Sequence, residues 1–282
     1  METVRPGRSV EVDVLALDGT QRVVKRDDVA GEEPLEIRLV AGGATNTLAI
    51  TMRTPGNDFE LAAGFVYGEA IVRRREDLVA MDYCIDSTID REQRFNIVNV
   101  ELSSAAGKVD AARFERHFVT SSACGVCGRA QIDSLRDLGV APLDDGLRAA
   151  SNLIYELPER MREGQRVFAS TGGLHAAALF DRRATLLAVR EDVGRHNAVD
   201  KIGGWALLSS RLPLEGCMLM VSGRAGYEIV QKSVMARIPI VCSVSAPSSL
   251  AVDLARAFNV TLVGFLRGSR ANIYSAPERI IP

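Results

Sequence analysis

Cys124 and Cys127 stand in the run Ser121-Ser-Ala-Cys-Gly-Val-Cys-Gly-Arg129, a short stretch that puts two thiols on one glycine-flanked turn. A Cys-X-X-Cys turn can lower a thiol's pKa until thiolate is populated near neutral pH, and thiolate is both the nucleophile and the metal ligand. Downstream, the spacing of Ile132, Leu135 and Leu138 predicts a helix. The thiols then sit just ahead of a helix N-terminus, whose partial positive charge, with Arg129 beside it, favours the thiolate further. Three chemistries are open to such a pair: structural zinc, dithiol exchange and sulfur carriage. Zinc needs four ligands, and no second Cys-X-X-Cys or histidine pair stands at suitable spacing, so no bound metal is expected. A thioredoxin-type dithiol follows the first strand of a compact βαβ unit, whereas this pair follows a long polar linker, Lys108 to Thr120. An exposed carrier loop suits the flanking glycines and serines better than exchange or chance burial does.

A second group of candidates lies further on. The loops Glu191-Asp-Val-Gly-Arg-His-Asn197, Ser222-Gly-Arg-Ala-Gly226, Ser245-Ala-Pro-Ser-Ser249 and Leu266-Arg-Gly-Ser-Arg270 each follow a predicted strand. Ligands of such sheets bind where strand ends lead into helix N-termini. Glycine lets the backbone approach a phosphate, helix-terminal amides donate to it, and Arg195, Arg224, Arg267 and Arg270 could neutralise it. Any one loop reads better as a tight turn with solvated arginines; four on one sheet edge reverse that and point to a nucleotide or other phosphorylated cofactor. His175, in Thr171-Gly-Gly-Leu-His-Ala-Ala177, could handle a proton or a sulfur ligand, or be structural. His117 reads as a surface residue, and His196 as a brace for its helix, with Asp200 one turn on.

The elements that must position these residues fall into two halves. The first hundred residues read as strands at Glu11 to Leu15, Arg22 to Lys25, Leu35 to Val40, Leu48 to Arg53 and Phe95 to Leu102. One helix runs from the Thr54-Pro-Gly-Asn-Asp58 turn through Glu69, with a side-chain cap at its start. After a helix ending near Glu163, a hairpin (Ala176 to Phe180, Thr185 to Arg190) leads into helix His196 to Leu208. Strand Cys217 to Val221, helix Glu228 to Ala236, strand Pro239 to Ser243, helix Leu250 to Ala257 and strand Val260 to Leu266 complete a layered, mostly parallel arrangement. The domains expected are a smaller strand-rich α+β unit over 1–115, a connecting segment with the cysteine loop over 116–150, and an α/β unit over 151–282. The 282 residues are 47% hydrophobic, enough for a substantial core. Thirty-four basic against 36 acidic residues, a net charge of −2, argue against a nucleic-acid coat or a membrane-surface protein. The sequence has no stretch of signal-peptide or membrane-span character, and five cysteines are an odd number for a secreted disulfide framework, so a cytoplasmic protein with reduced thiols is expected.

Taken together, the cysteine loop, Thr171-Gly-Gly-Leu-His-Ala-Ala177, Glu191-Asp-Val-Gly-Arg-His-Asn-Ala-Val-Asp-Lys201, Ser222-Gly-Arg224, Ser245-Ala-Pro-Ser-Ser249 and Gly264-Phe-Leu-Arg-Gly-Ser-Arg270 resemble the formate dehydrogenase accessory sulfurtransferase family, FdhD/NarQ. The resemblance implies a three-layer cytidine deaminase-like α/β domain with a mixed sheet. Zinc-dependent deamination is not implied, because His175 is followed by Ala176 and Ala177 rather than by a catalytic glutamate. It further implies a sulfurtransferase that takes sulfur from a cysteine desulfurase as a persulfide. The acceptor that the resemblance implies is molybdenum in the bis-molybdopterin guanine dinucleotide cofactor, for the use of a formate dehydrogenase. Cys124 is then the persulfide carrier and Cys127 its partner in release or relay. Phe265, Leu266, Arg267, Gly268, Ser269 and Arg270 match the family's cofactor-binding stretch. Thr171, Gly172, Gly173, His175, Gly194, Arg195, His196, Ser222, Gly223 and Arg224 complete the expected cofactor site. A cofactor-binding chaperone and a dithiol oxidoreductase are the alternative functions, and a homodimer is the default assembly.

Overall fold

A computed structural model describes residues 7–103, 128–144 and 146–282. Cys124, Cys127, His117 and the linker Lys108 to Thr120 lie outside the described residues. The chain opens with a hairpin, β1 (Ser9–Asp18) and β2 (Gln21–Ala30), paired in register from Ser9 with Ala30 to Asp18 with Gln21. Most of it is exposed, including Leu15, Leu17, Val23 and Val24 near its tip, while at its base Ala30 approaches Gly173.

A four-stranded sheet follows, in the order β4-β3-β6-β5, from β3 (Glu33–Ala41), β4 (Ala44–Arg53), β5 (Leu78–Tyr83) and β6 (Ile97–Leu102). Along β3 the side chains alternate: Leu35, Ile37 and Leu39 are buried, while Glu36 and Arg38 pair on the other face at 2.8 and 2.9 Å. A period of two with one apolar face is what a sheet covered on one side requires. Strand β5 escapes the sequence reading because its Val79 and Asp82 are exposed and its pairing with β6 is irregular, which blurs the alternation. The cover is helix α1 (Asp58–Gly68). The expected side-chain cap is absent: Asn57 is left-handed at φ 59, and the Asp58 carboxylate instead takes Arg53 at 3.1 and 3.2 Å, the Gly56 N–H at 3.1 Å and the Tyr83 hydroxyl at 3.0 Å. A fully buried guanidinium needs that partner more than a solvated helix end needs a cap. A short turn, α2 (Arg91–Arg94), precedes β6, and α3 (Gly128–Asp137) lies where the spacing after the cysteine loop predicts a helix.

Helices α4 (Ser151–Gly164) and α5 (Arg166–Thr171) then lead into a six-stranded sheet in the order β13-β12-β11-β10-β8-β9. Its strands are β8 (His175–Asp181), β9 (Leu186–Asp192), β10 (Cys217–Val221), β11 (Ile240–Ser243), β12 (Thr261–Arg267) and β13 (Arg270–Ser275). Two short strands, β7 (Ala149–Ala150) and β14 (Ile280–Ile281), pair separately. Only β10 with β11 and β11 with β12 pair in parallel; β8, β9 and β13 join antiparallel, so the sheet is mixed rather than mostly parallel. The central strands are buried on both faces. Ala176, Ala178, Phe180, Met218 and Met220 face Ile154, Leu157 and Met161 of α4. The alternate residues Ala177, Leu179, Leu219 and Val221 join the core formed with α6 (Arg195–Leu208), α7 (Tyr227–Met235) and α8 (Ser249–Ala257). That second core continues without a break into Leu35, Ile37, Leu61 and Val66 of the first half.

The joint between the halves is a crossing of α1 and α6 at glycine. A Cβ built on Gly64 would lie 1.8 Å from the Asp200 carbonyl oxygen, and one on Gly204 would lie 1.8 Å from that of Glu60. Only hydrogen at these positions lets the two backbones touch. Glu60 also holds Arg190 of β9 through two hydrogen bonds of 2.5 and 2.7 Å.

Candidate functional site

Strands β9, β10, β11 and β12 all run the same way, so their carboxyl ends share one edge of the sheet, as the four sequence loops require. From that edge start α6, α7 and α8, whose N-termini carry partial positive charge. The loops are tied to one another. Ala225 and Pro247 form a parallel bridge, the Ser243 hydroxyl donates to Gly223 O at 2.7 Å, and Ser222 Oγ accepts the Ala176 N–H at 2.8 Å. His175, at the start of the oppositely directed β8, arrives at the same edge, and its ring lies against Gly223. Gly172, left-handed at φ 66, ends α5 and turns the chain into this strand.

A cavity of about 580 Å³ opens here. Gly172, Gly173, His175 and Ser222 line it, from among the sequence-predicted residues, beside α4 and α5 side chains that the sequence did not single out. The remaining predicted residues lie around it. Thr171 is at the end of α5, where its hydroxyl donates to Val167 O. Arg195 is half-buried beside His175, and Arg224 is exposed. The β12–β13 turn reaches back: Arg267 Nε donates to the carbonyl of Val244, a lining residue, at 3.4 Å, while Gly268, Ser269 and Arg270 are exposed. Leu266 is buried in the core, and Phe265, 42% exposed, sits at φ 53, a left-handed conformation uncommon for a bulky residue. His196 does not brace Asp200; its Nδ1 meets the Glu228 carboxylate at 2.9 Å, and Asp200 is taken by Lys232 at 2.7 Å.

Burial lowers the pKa of His175, and the neighbouring Arg195 and His196 lower it further against the opposing pull of Asp192. These surroundings favour the neutral imidazole. Among the described residues no cluster of three His, Cys, Asp or Glu could hold a metal ion. The described cysteines are unbonded, and burial pushes Cys242 up to about 12 and Cys217 upward. Neither is a reactive thiolate.

Asp192, fully buried at the end of β9, organises the loop between the cavity and α6. One carboxylate oxygen accepts Gly194 N at 2.8 Å and Asn197 Nδ2 at 3.0 Å; the other meets Lys201 Nζ at 2.7 Å and Thr54 N at 3.2 Å. Lys201, 1% exposed, also donates to Thr54 O at 2.9 Å. The Thr54-Pro-Gly-Asn turn of the first half thus abuts the site. Its neighbour Glu191 serves a different end, accepting the Val167 and Phe168 N–H groups at the start of α5 at 3.0 and 2.7 Å. The Asn197 and Lys201 spacing of four places both on one side of α6, a signal that was available in the sequence.

Residues 30–281 match the FdhD/NarQ family. The chain belongs to that family. FdhD/NarQ relatives include the sulfur carrier protein FdhD of Streptomyces coelicolor, 49% identical over 90% of this chain and 89% of that protein. The sulfur carrier protein FdhD of Mycolicibacterium paratuberculosis is 48% identical over 95% and 97%. A crystal structure of a candidate formate dehydrogenase accessory protein from Desulfotalea psychrophila superposes with a TM-score of 0.74 at 25% identity, covering 97% of this chain and 99% of that one. The mixed α/β architecture, with its several sheets, is therefore the FdhD/NarQ fold. No helix among the described residues is long and apolar enough to cross a membrane.

Proposed function

We propose that this protein is a cytoplasmic sulfurtransferase for the maturation of a formate dehydrogenase. The supporting observation is the union, on one sheet edge, of a cavity of about 580 Å³ with Arg195, Arg267 and three helix N-termini, in a chain nearly half identical to sulfur carrier proteins. Cavities of this size hold one small-molecule moiety, so the site suits one nucleotide end of a guanine dinucleotide molybdenum cofactor, bound as substrate. Its pyrophosphate would meet the arginines and helix amides.

The sulfur step starts from a desulfurase persulfide. The Cys124 thiolate attacks its terminal sulfur, the S–S bond breaks, and the desulfurase leaves as thiolate, with no net oxidation. Attack of Cys127 thiolate on Cys124 Sγ then forms a Cys124–Cys127 disulfide and releases sulfide, the two thiols being oxidised as the sulfane sulfur is reduced. Sulfide is the form in which the sulfur would pass to the molybdenum of a bound cofactor. Incubation with a cysteine desulfurase and cysteine is expected to add one sulfur, about 32 Da, at Cys124 or Cys127. An unmodified protein, or the same adduct on the double alanine variant, refutes the carrier role. The exposed hairpin residues Leu15, Leu17, Val23 and Val24 support a homodimer, since a lone two-stranded ribbon is marginal in water. Light scattering should give twice the 30.5 kDa of one chain; the mass of a single chain refutes the dimer.

A further inference from the structure

Arg195 opens α6 with a donor that no described residue takes up. Its Nε is buried and has no hydrogen-bond partner among the described residues, and no carboxylate of theirs pairs with its guanidinium. Glu228, an acid that feels its charge, is held by His196 at 2.9 Å. Burying a charged donor without a partner is costly, so the acceptor it is built for arrives from outside the chain. Arg195 itself is not part of the cavity wall. His175 is, and the two side chains meet at Gly223, where a Cβ would lie 3.1 Å from His175 Nδ1, 3.3 Å from its Cε1 and 3.9 Å from Arg195 Cβ. The bare glycine lets the imidazole settle against the loop with Arg195 beside it. The ring makes no hydrogen bond to any described residue, and burial and the charge of Arg195 favour its neutral form.

One charged donor beside one neutral acceptor selects a ligand narrowly. A phosphate is best met by two charged donors, and Arg195 opposes the imidazolium that would supply the second. An anion that carries its own proton satisfies both groups at once. Hydrosulfide, the form in which sulfide leaves near neutral pH, is such an anion, and it is small enough to pass behind the cavity wall to a buried Nε. We propose that Arg195 and His175 seat hydrosulfide on its way to the cofactor, the Arg195 Nε–H donating to sulfur and a ring nitrogen of His175 accepting the S–H. This rests on the reading of the protein as a sulfurtransferase. As the sulfur bonds to the acceptor metal, the S–H bond breaks, the proton goes to His175 and the electron pair stays with sulfur. The imidazolium then returns the proton to water, and nothing is oxidised or reduced. The other charged or titratable groups around the imidazole are His196 and Asp192, with Glu159 and Arg162 on the α4 side of the cavity.

The test is an NMR titration with sodium sulfide, under argon, of the full-length Cys124→Ala, Cys127→Ala protein, whose carrier thiols cannot react. The Arg195 Nε–H signal, assigned by its loss in Arg195→Lys, and the His175 ring signals should shift together and saturate. Sodium chloride and inorganic phosphate should need at least about tenfold higher concentrations. His175→Asn should weaken sulfide about tenfold, the loss of one hydrogen bond to a charged group, and leave the chloride response as it was. Arg195→Lys keeps the charge but has no donor at the depth of Nε, so the His175 response to sulfide should disappear. With the cysteines restored, maturation of the client enzyme should speed up as the pH rises through the His175 midpoint, and His175→Asn should be slow and lose that step. An Arg195 signal that ignores sulfide, or answers chloride or phosphate equally well, overturns the seat. A His175→Asn chain with the wild-type rate and pH profile overturns the proton role. If the seat stays silent while the cysteines become persulfidated, the seat falls and the carrier reading stands; if sulfide binds and no persulfide ever forms, the seat stands and the carrier reading falls.

Discussion

Replacing Gly204 by alanine forces a methyl group into the crossing of α1 and α6. Its Cβ would stand 1.8 Å from Glu60 O and 2.7 Å from Gly64 N, so the helices must part by about 1.2 Å to reach even the 3.0 Å limit of observed contacts. The obstacle is a backbone carbonyl, which cannot rotate aside, and the Glu60 side chain is itself fixed to Arg190. Overpacking costs about 1–3 kcal/mol, and an unyielding neighbour puts this site at about 3. Alanine regains about 1 kcal/mol of helix propensity, leaving a net loss of about 2 kcal/mol. The adjacent position supplies the control. A Cβ on Gly203 meets only Gly64 Cα at 4.0 Å, an ordinary contact, so Gly203→Ala keeps the propensity gain and should stabilise by up to about 1 kcal/mol. Urea unfolding followed by far-UV circular dichroism measures both. A Gly204→Ala protein as stable as wild type, or a Gly203→Ala protein that loses as much, would refute the argument that close backbone approach holds the halves together.

Lys201→Met should destabilise by about 3–5 kcal/mol because it leaves Asp192 charged and buried without its cation; adding Asp192→Asn should restore part of this, and a single variant that melts with wild type contradicts the pairing. His175 should titrate below 6.5 by NMR, assigned with a His175→Asn variant, because burial and the positive charge of Arg195 disfavour the imidazolium. With a folded-state pKa depressed below the unfolded value, its contribution to stability is present above pH 6.5 and lost as the pH falls through the folded value. Arg195→Gln should move the His175 titration upward, and no movement excludes Arg195 as a cause.

Regular periodicity made most elements legible. Strand β10 falls on Cys217–Val221 as read, and the hairpin and the alternating helices and strands beyond it shift by no more than about two residues, because doubly covered strands carry unbroken apolar runs. The hidden features depend on contacts remote in sequence. The Thr54-Pro-Gly-Asn-Asp58 turn read as the start of a side-chain-capped helix because nothing in its neighbourhood reveals that Arg53 would be fully buried against Asp58. His196 and Asp200 have helical spacing, yet α7 brings Glu228 and Lys232 to them, and a charge across an interface wins over one along a helix. The break between α4 and α5 at Gln165 had no signal in the sequence, and the start of α5 is held by Glu191, remote along the chain. Of the expected cofactor site, the glycines, His175 and Ser222 were legible as a motif, and the α4 wall facing them was not.

Glu191 and Asp192 are consecutive, and consecutive strand residues point to opposite sides of a sheet. One carboxylate grips the start of α5 and hence the wall that carries Phe168; the other grips the Thr54 turn and Lys201. The strand end therefore works as a rivet driven through the molecule, clamping a plate on either side. A shift of the Thr54 turn reaches the cavity wall through two carboxylates whose backbones are one peptide step of about 3.3 Å apart. Cavity shape and the seating of the first half of the chain are one mechanical variable, and a substitution in either half is felt in both.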